Sequence, residues 1–202
     1  MGLTESIRAR ADRLAHDGFA AFACDVFGAG VLHQPAETAR EVVAPLVKDP
    51  AALRARLRAG IGQLKRKPEI DASRIGGIGF GFGGFGVLAL VGDGEPIQAA
   101  VTLHAEVKTT TPMRKGGVSS RLLILHGDGD PLAPRDDLTH FLDELRGADA
   151  HWELGPFSGA RHSFTGEGAW GDVLPEAKLD SYADARSWAA TIDLLRKVLS
   201  VR

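Results

Sequence analysis

The chain has 202 residues, 44% of them hydrophobic and 25% charged, with a formal net charge of -2. That length predicts one domain, 1–202, with enough apolar residues to bury a core. The balance and absence of a long basic run exclude a nucleic-acid or acidic-membrane binder. The most basic patch, Lys65-Arg66-Lys67, reads as a solvated helix end.

The single cysteine, Cys24, rules out an internal disulfide and reads as a small buried residue. The N-terminus carries mixed charge and no apolar h-region. No apolar run approaches the roughly 20 residues that span a bilayer. Expectations are a cytoplasmic location, no membrane and no nucleic acid, with formation of a homo-oligomer left open.

The first element is a helix with Ile7, Ala11, Leu14 and Ala15 on one face, Thr4 at its start and Gly18 at its end. The short apolar run FAAFACDVFG at 19–28 predicts a buried strand over 19–26 that ends near Asp25. Helices are expected over about 36–46 and 51–64, separated by Pro50. A strand over 75–80 runs into Gly81, and a small-residue helix follows over 83–90. Strands are expected over 99–103, 121–126 and 151–157, with a helix from about Arg135 to Leu145 and a last helix from about Tyr182 to Leu199. Trp152, Trp170 and Trp188 read as packing residues. Strands alternating with helices predict an α/β fold, three-layered, with a mainly parallel sheet covered on both faces.

In such sheets functional residues gather beyond the C-terminal ends of the strands. Those ends carry Gly81, His104, Asp130 with its neighbour Asp128, and His162. The stretch at 76–86, GGIGFGFGGFG, has two readings. From Gly79 to Gly84 it spells G-x-G-x-x-G, a dinucleotide fingerprint, with Glu106 about where a ribose-binding acid would stand. From Gly79 to Gly83 it has the frame of a nucleophile elbow, G-x-S-x-G, with Gly81 where the serine belongs. Chain order favours the second: elbow, acid, histidine is the order of an α/β-hydrolase triad, in which the histidine deprotonates the nucleophile and the acid orients the histidine. A Rossmann unit would usually open the domain, and it leaves His162 and Asp130 unexplained.

Four ordered blocks then resemble one family. RADRLAHDGFAAFACDVFGAG, ASRIGGIGFGFGG, LLILHGDGDPLAP and GARHSFTGEG, with the ending YADARSWAATIDLLRKVL, are similar to the dienelactone hydrolase (carboxymethylenebutenolidase) family of the α/β-hydrolase superfamily. The resemblance implies an α/β-hydrolase fold acting on lactones or small carboxylic esters, with no cofactor and no metal. It places the catalytic histidine on His162, the acid on Asp130, with Asp128 as the fallback, and the nucleophile on Gly81. Phe82, next to the elbow, is a pocket or oxyanion candidate, and His104 reads as a structural residue at a strand end near the pocket or as part of its lining.

The chain departs from the family in two ways. Gly81 has no side chain and cannot attack a carbonyl, so activity is expected to be weak or absent. The chain also starts at Met1-Gly2-Leu3-Thr4, just past the position of the family's first strands and their His-Glu-Ala-type oxyanion segment. N-terminal strands are therefore expected to be missing, leaving the strand at 19–26 without a neighbour. A pseudoenzyme that binds a small ester, an acid or a protein partner is the alternative. Cys24 lies on a different strand from the elbow, and Ser163 should point away from His162, so neither reads as a replacement nucleophile.

Overall fold

The computed structural model describes residues 2–28, 36–108, 112–166 and 177–199. The chain forms two compact units, one ending at Ala72 and the other beginning at Ser73.

The first unit holds three helices: α1 (Glu5–His16), α2 (Ala36–Lys48) and α3 (Pro50–Lys65). Helix α1 starts where the sequence marks it. The Thr4 side chain accepts a hydrogen bond from the Ile7 N–H at 3.3 Å, satisfying one of the donors that a helix start leaves over. Asp49 caps α3 in the same way through the Ala52 N–H, and Pro50 occupies the first helical position, where its missing N–H costs nothing.

The expected strand at 19–26 does not form: these residues adopt no regular structure. An apolar run becomes a strand only when a neighbour completes its ladder, and none of the described strands pairs with it. Asp25, expected at a strand end, instead holds a turn, its Oδ1 accepting from the Phe27 and Gly28 N–H groups. Cys24 is half-buried rather than fully buried. Its Sγ fills the space beside Gly60, where a methyl group would lie 2.6 Å from the sulfur.

The second unit contains a parallel sheet in the order β1-β2-β3-β4, formed by β1 (Gly76–Phe80), β2 (Ala99–Leu103), β3 (Arg121–Gly127) and β4 (His151–Phe157). Three helices accompany it: α4 (Phe82–Gly92), α5 (Arg135–Gly147) and α6 (Ser181–Leu199). All five residues of β2 are buried, as are six of the seven in β3. Burial of both faces explains why these strands read as unbroken apolar runs.

Successive glycines of β1 show the two covering layers. A methyl group at Gly76 would meet Leu195 and Leu199 of α6, whereas one at Gly77 would meet Val87 of α4. Neighbouring strand residues face opposite sides, so α6 and α4 cover opposite faces of β1. Trp188 is buried, as expected; Trp152 is half-buried, with the Arg146 guanidinium 5.4 Å from its ring centroid. Trp170 lies outside the described residues.

Candidate active site

The glycine-rich stretch makes a close strand-to-helix turn. A methyl group at Gly79 would stand 2.2 Å from the Gly83 carbonyl oxygen, and one at Gly84 would stand 2.5 Å from the Ala105 Cβ. Both positions must lack a side chain for α4 to fold back directly on β1 and β2. Gly81 sits between them as the N-cap of α4 with φ 50° and ψ -118°, a positive-φ backbone that glycine adopts freely and that an L side chain would hold only under strain. Its N–H donates to the Leu103 carbonyl at 3.0 Å. Phe82 begins α4, so its N–H is one of those that no intrahelical carbonyl accepts.

The acid and the histidine reach this turn from β3 and β4. Gly127 ends β3, and a methyl group there would come within 2.6 Å of the Ala160 carbonyl oxygen. That close approach lets the Gly129 N–H donate to the Ala160 carbonyl and the Asp128 N–H to the Phe157 carbonyl. The turn carrying Asp130 is thereby held against the loop carrying His162. Asp130 Oδ2 lies 2.9 Å from His162 Nδ1, and its Oδ1 accepts from the Leu132 N–H at 2.9 Å. The Asp130 side chain is fully buried and that of His162 is 10% exposed. With Nδ1–H donating to Asp130, Nε2 is left as the acceptor.

That nitrogen faces the elbow. A Cβ at position 81 would lie 3.6 Å from His162 Nε2 and 3.8 Å from His104 Nδ1. The sequence-predicted residues Gly81, His104, Asp130 and His162 therefore converge. Asp128, the neighbouring acid, is drawn elsewhere: its two oxygens take Arg135 Nε and Nη2 at 2.9 and 2.8 Å. The guanidinium hydrogen bond holds its carboxyl below the usual range.

His104 follows β2 with φ 41° and is 2% exposed. Its Nε2 is 2.9 Å from Thr165 Oγ1, and its ring meets His162 and Phe164 edge-on at 5.5 and 5.1 Å. Thr165 and the fully buried Phe164 escaped the sequence reading. They lie in the loop after His162 with no motif of their own, and only their proximity to that histidine pointed to them. His126, at the end of β3, was also passed over. Burial holds its imidazole below the ordinary value of 6.5, against the opposing pull of Asp130 and Asp128.

Among the described residues no group of three or more His, Cys, Asp or Glu side chains could hold a metal ion. No described helix is long and apolar enough to cross a membrane.

A parallel sheet between helices, with a strained turn after β1 opposed by a histidine and an acid from later strand ends, defines an α/β-hydrolase fold. The dienelactone hydrolase family model matches residues 1–199, and the chain belongs to that family. A solved structure named m3DLH is 36% identical, with a TM-score of 0.92, and the match covers 98% of this chain and 83% of that one. A dienelactone hydrolase-like promiscuous phosphotriesterase from metagenomic libraries is 33% identical with a TM-score of 0.89 and the same coverage. An uncharacterised protein of Caenorhabditis elegans is 29% identical over 157 residues, 73% of this chain and 95% of the relative.

Proposed function

We propose that the protein hydrolyses lactones or small carboxylic esters slowly, by direct attack of a water molecule that His162 deprotonates. The observation that carries this reading is the position of His162: Nδ1 on the buried Asp130 carboxylate and Nε2 3.6 Å from where a Cβ at residue 81 would be. On this reading His162 is the base and Asp130 its orienting acid, while residue 81 offers no side chain to attack. In a triad enzyme, removing one member still leaves about 10³–10⁴-fold acceleration over water.

The chemistry needs no cofactor. Water oxygen bonds to the carbonyl carbon while its proton moves to His162 Nε2. The tetrahedral intermediate then expels the alkoxide, which takes that proton back; an ester releases it as the alcohol, and an opened lactone keeps it as the hydroxyl of the hydroxy acid. The Phe82 N–H, at the N-terminus of α4, is suited to the oxyanion because it lies beside the nucleophile position, at the helix end that favours negative charge.

Two other readings have less support. A non-catalytic protein that binds an ester, an acid or a partner has no need of a buried histidine-carboxylate pair aimed at the elbow. A dinucleotide would place its pyrophosphate at the start of α4, the position that His162 and His104 face.

The test is turnover of p-nitrophenyl acetate and a small lactone by the wild-type chain, His162→Ala, Gly81→Cys and Gly81→Ser. We expect slow wild-type hydrolysis that His162→Ala abolishes, and a gain of at least ~10² in kcat for Gly81→Cys. Wild-type turnover indifferent to His162 would rule out the proposal. Ligand binding with no turnover by any folded variant would favour the non-catalytic reading.

A further inference from the structure

We infer that the protein also transfers the acyl group of its ester to a small free thiol, whose sulfur takes the place beside His162 Nε2 that a tethered nucleophile would fill. This rests on the reading above that His162 is the base, and not on water being the attacking group.

Three observations carry it. Asp130 holds His162 through Nδ1 at 2.9 Å. The other ring nitrogen, Nε2, has no hydrogen-bond partner among the described residues, yet it is not one of the buried unpartnered atoms, so it keeps contact with solvent. In front of that nitrogen an atom of methyl size fits without displacing a neighbour. A Cβ at residue 81 would come no closer than 3.6 Å to His162 Nε2, an ordinary van der Waals contact, with the buried ring of His104 as the inner wall at 3.8 Å. The start of α4 lies beside this space, so the Phe82 N–H faces the same oxyanion whichever nucleophile attacks.

Acidity selects the thiol among small nucleophiles. Water releases its proton at a pKa of about 15.7 and a cysteine-like thiol at about 8.5, so a neutral imidazole generates far more thiolate than hydroxide. The thiolate is also intrinsically a strong nucleophile. In the transfer, the S–H proton moves to His162 Nε2 as the sulfur bonds to the carbonyl carbon. The tetrahedral intermediate then breaks its C–O bond, and the departing alkoxide takes the proton from Nε2. Ester and thiol become thioester and alcohol, with no oxidant or reductant consumed. A side chain at residue 81 would occupy the entry of the thiol; the glycine leaves the attacking group exchangeable. The free thiol forgoes the positioning that a covalent tether supplies, so it must be present at high concentration to compete.

The experiment follows p-nitrophenol release from p-nitrophenyl acetate by the wild-type chain at rising ethanethiol concentration, with the ethyl thioester measured by mass spectrometry. Ethanethiol without protein, and with His162→Ala, gives the uncatalysed background. The expected result is a saturable acceleration of about tenfold or more over the rate in buffer alone, with thioester as the product and the gain lost in His162→Ala. The bulky tert-butyl thiol on the wild-type chain should give no such acceleration, a comparison that needs no variant to fold. A thiol dependence no greater than background would overturn the inference, as would equal acceleration by the bulky thiol. Hydrolysis in buffer that needs His162 but ignores ethanethiol would sink this inference and leave the water-attack reading standing. Thioester formation that needs His162, with no hydrolysis in buffer, would support this inference and sink the water-attack reading. If neither rate depends on His162, both fail.

Discussion

At the scale of residues, the two aspartates of the Gly127–Asp130 turn differ in what their neighbours ask of them. Asp128 is half-buried and engaged by Nε and Nη2 of the exposed Arg135, whereas Asp130 is fully buried on His162. Substituting Asp128 should therefore leave hydrolysis within about twofold, since an exposed ion pair contributes little. Replacing Asp130 by Asn should fix the wrong His162 tautomer and cost about 10²–10⁴ in kcat. Both are best measured in the Gly81→Cys background, where turnover is expected to be highest. Equal effects of the two substitutions would contradict the assignment of Asp130. The absence of a side chain at Gly81 is legible directly in the sequence. The partnership of His104 with Thr165 is not, because 61 residues separate them and no motif joins them.

At the scale of elements, crowding explains two glycines of the β1-turn-α4 unit. Gly79 and Gly84 leave no space for a methyl group, while at Gly83 nothing lies within 4 Å of one. Gly79→Ala and Gly84→Ala should each destabilise the protein by about 1–3 kcal/mol or more, because backbone must move to relieve the overlap. Gly83→Ala should be neutral or stabilise by up to ~1 kcal/mol through helix propensity. Urea unfolding midpoints of the three variants provide the comparison, and equal losses would contradict the packing argument. Periodicity and end signals located the helices: Thr4 caps α1 as its side chain suggests, while Asp49, which the sequence reading passed over for Pro50, caps α3. The 19–26 segment shows the limit of the same reasoning. Its residues suit a strand, but strand formation depends on a partner that local composition cannot supply.

At the scale of the whole molecule, the buried His126 couples stability to pH. Its imidazole is 2% exposed, and among the described residues its Nε2 has no hydrogen-bond partner. Burial lowers its proton affinity in the folded state below the ordinary 6.5. The unfolded chain therefore binds the proton first as pH falls, so stability declines below about 6.5 and levels only beneath the folded-state value. At higher pH both states are neutral and the effect vanishes. Urea midpoints measured between about pH 7.5 and 5.5 should fall for the wild type and fall less for His126→Gln. An identical fall in the two would show that other groups carry the dependence.

The sequence by itself determined the α/β class, the chain order of Gly81, Asp130 and His162, and the absence of a side chain at residue 81. These follow from local signals: apolar runs with punctuation between them, capping residues, and glycines in a fixed frame. Only the tertiary structure decided that Asp130 rather than Asp128 meets His162. It also decided that the 19–26 run makes no strand, and that His104 turns its Nδ1 towards the space beside Gly81. Those outcomes depend on which backbones approach closely enough to exclude a side chain, as at Gly79, Gly84 and Gly127. Such approaches join residues far apart in the chain, and the spacing of residue types along one strand or helix holds no record of them.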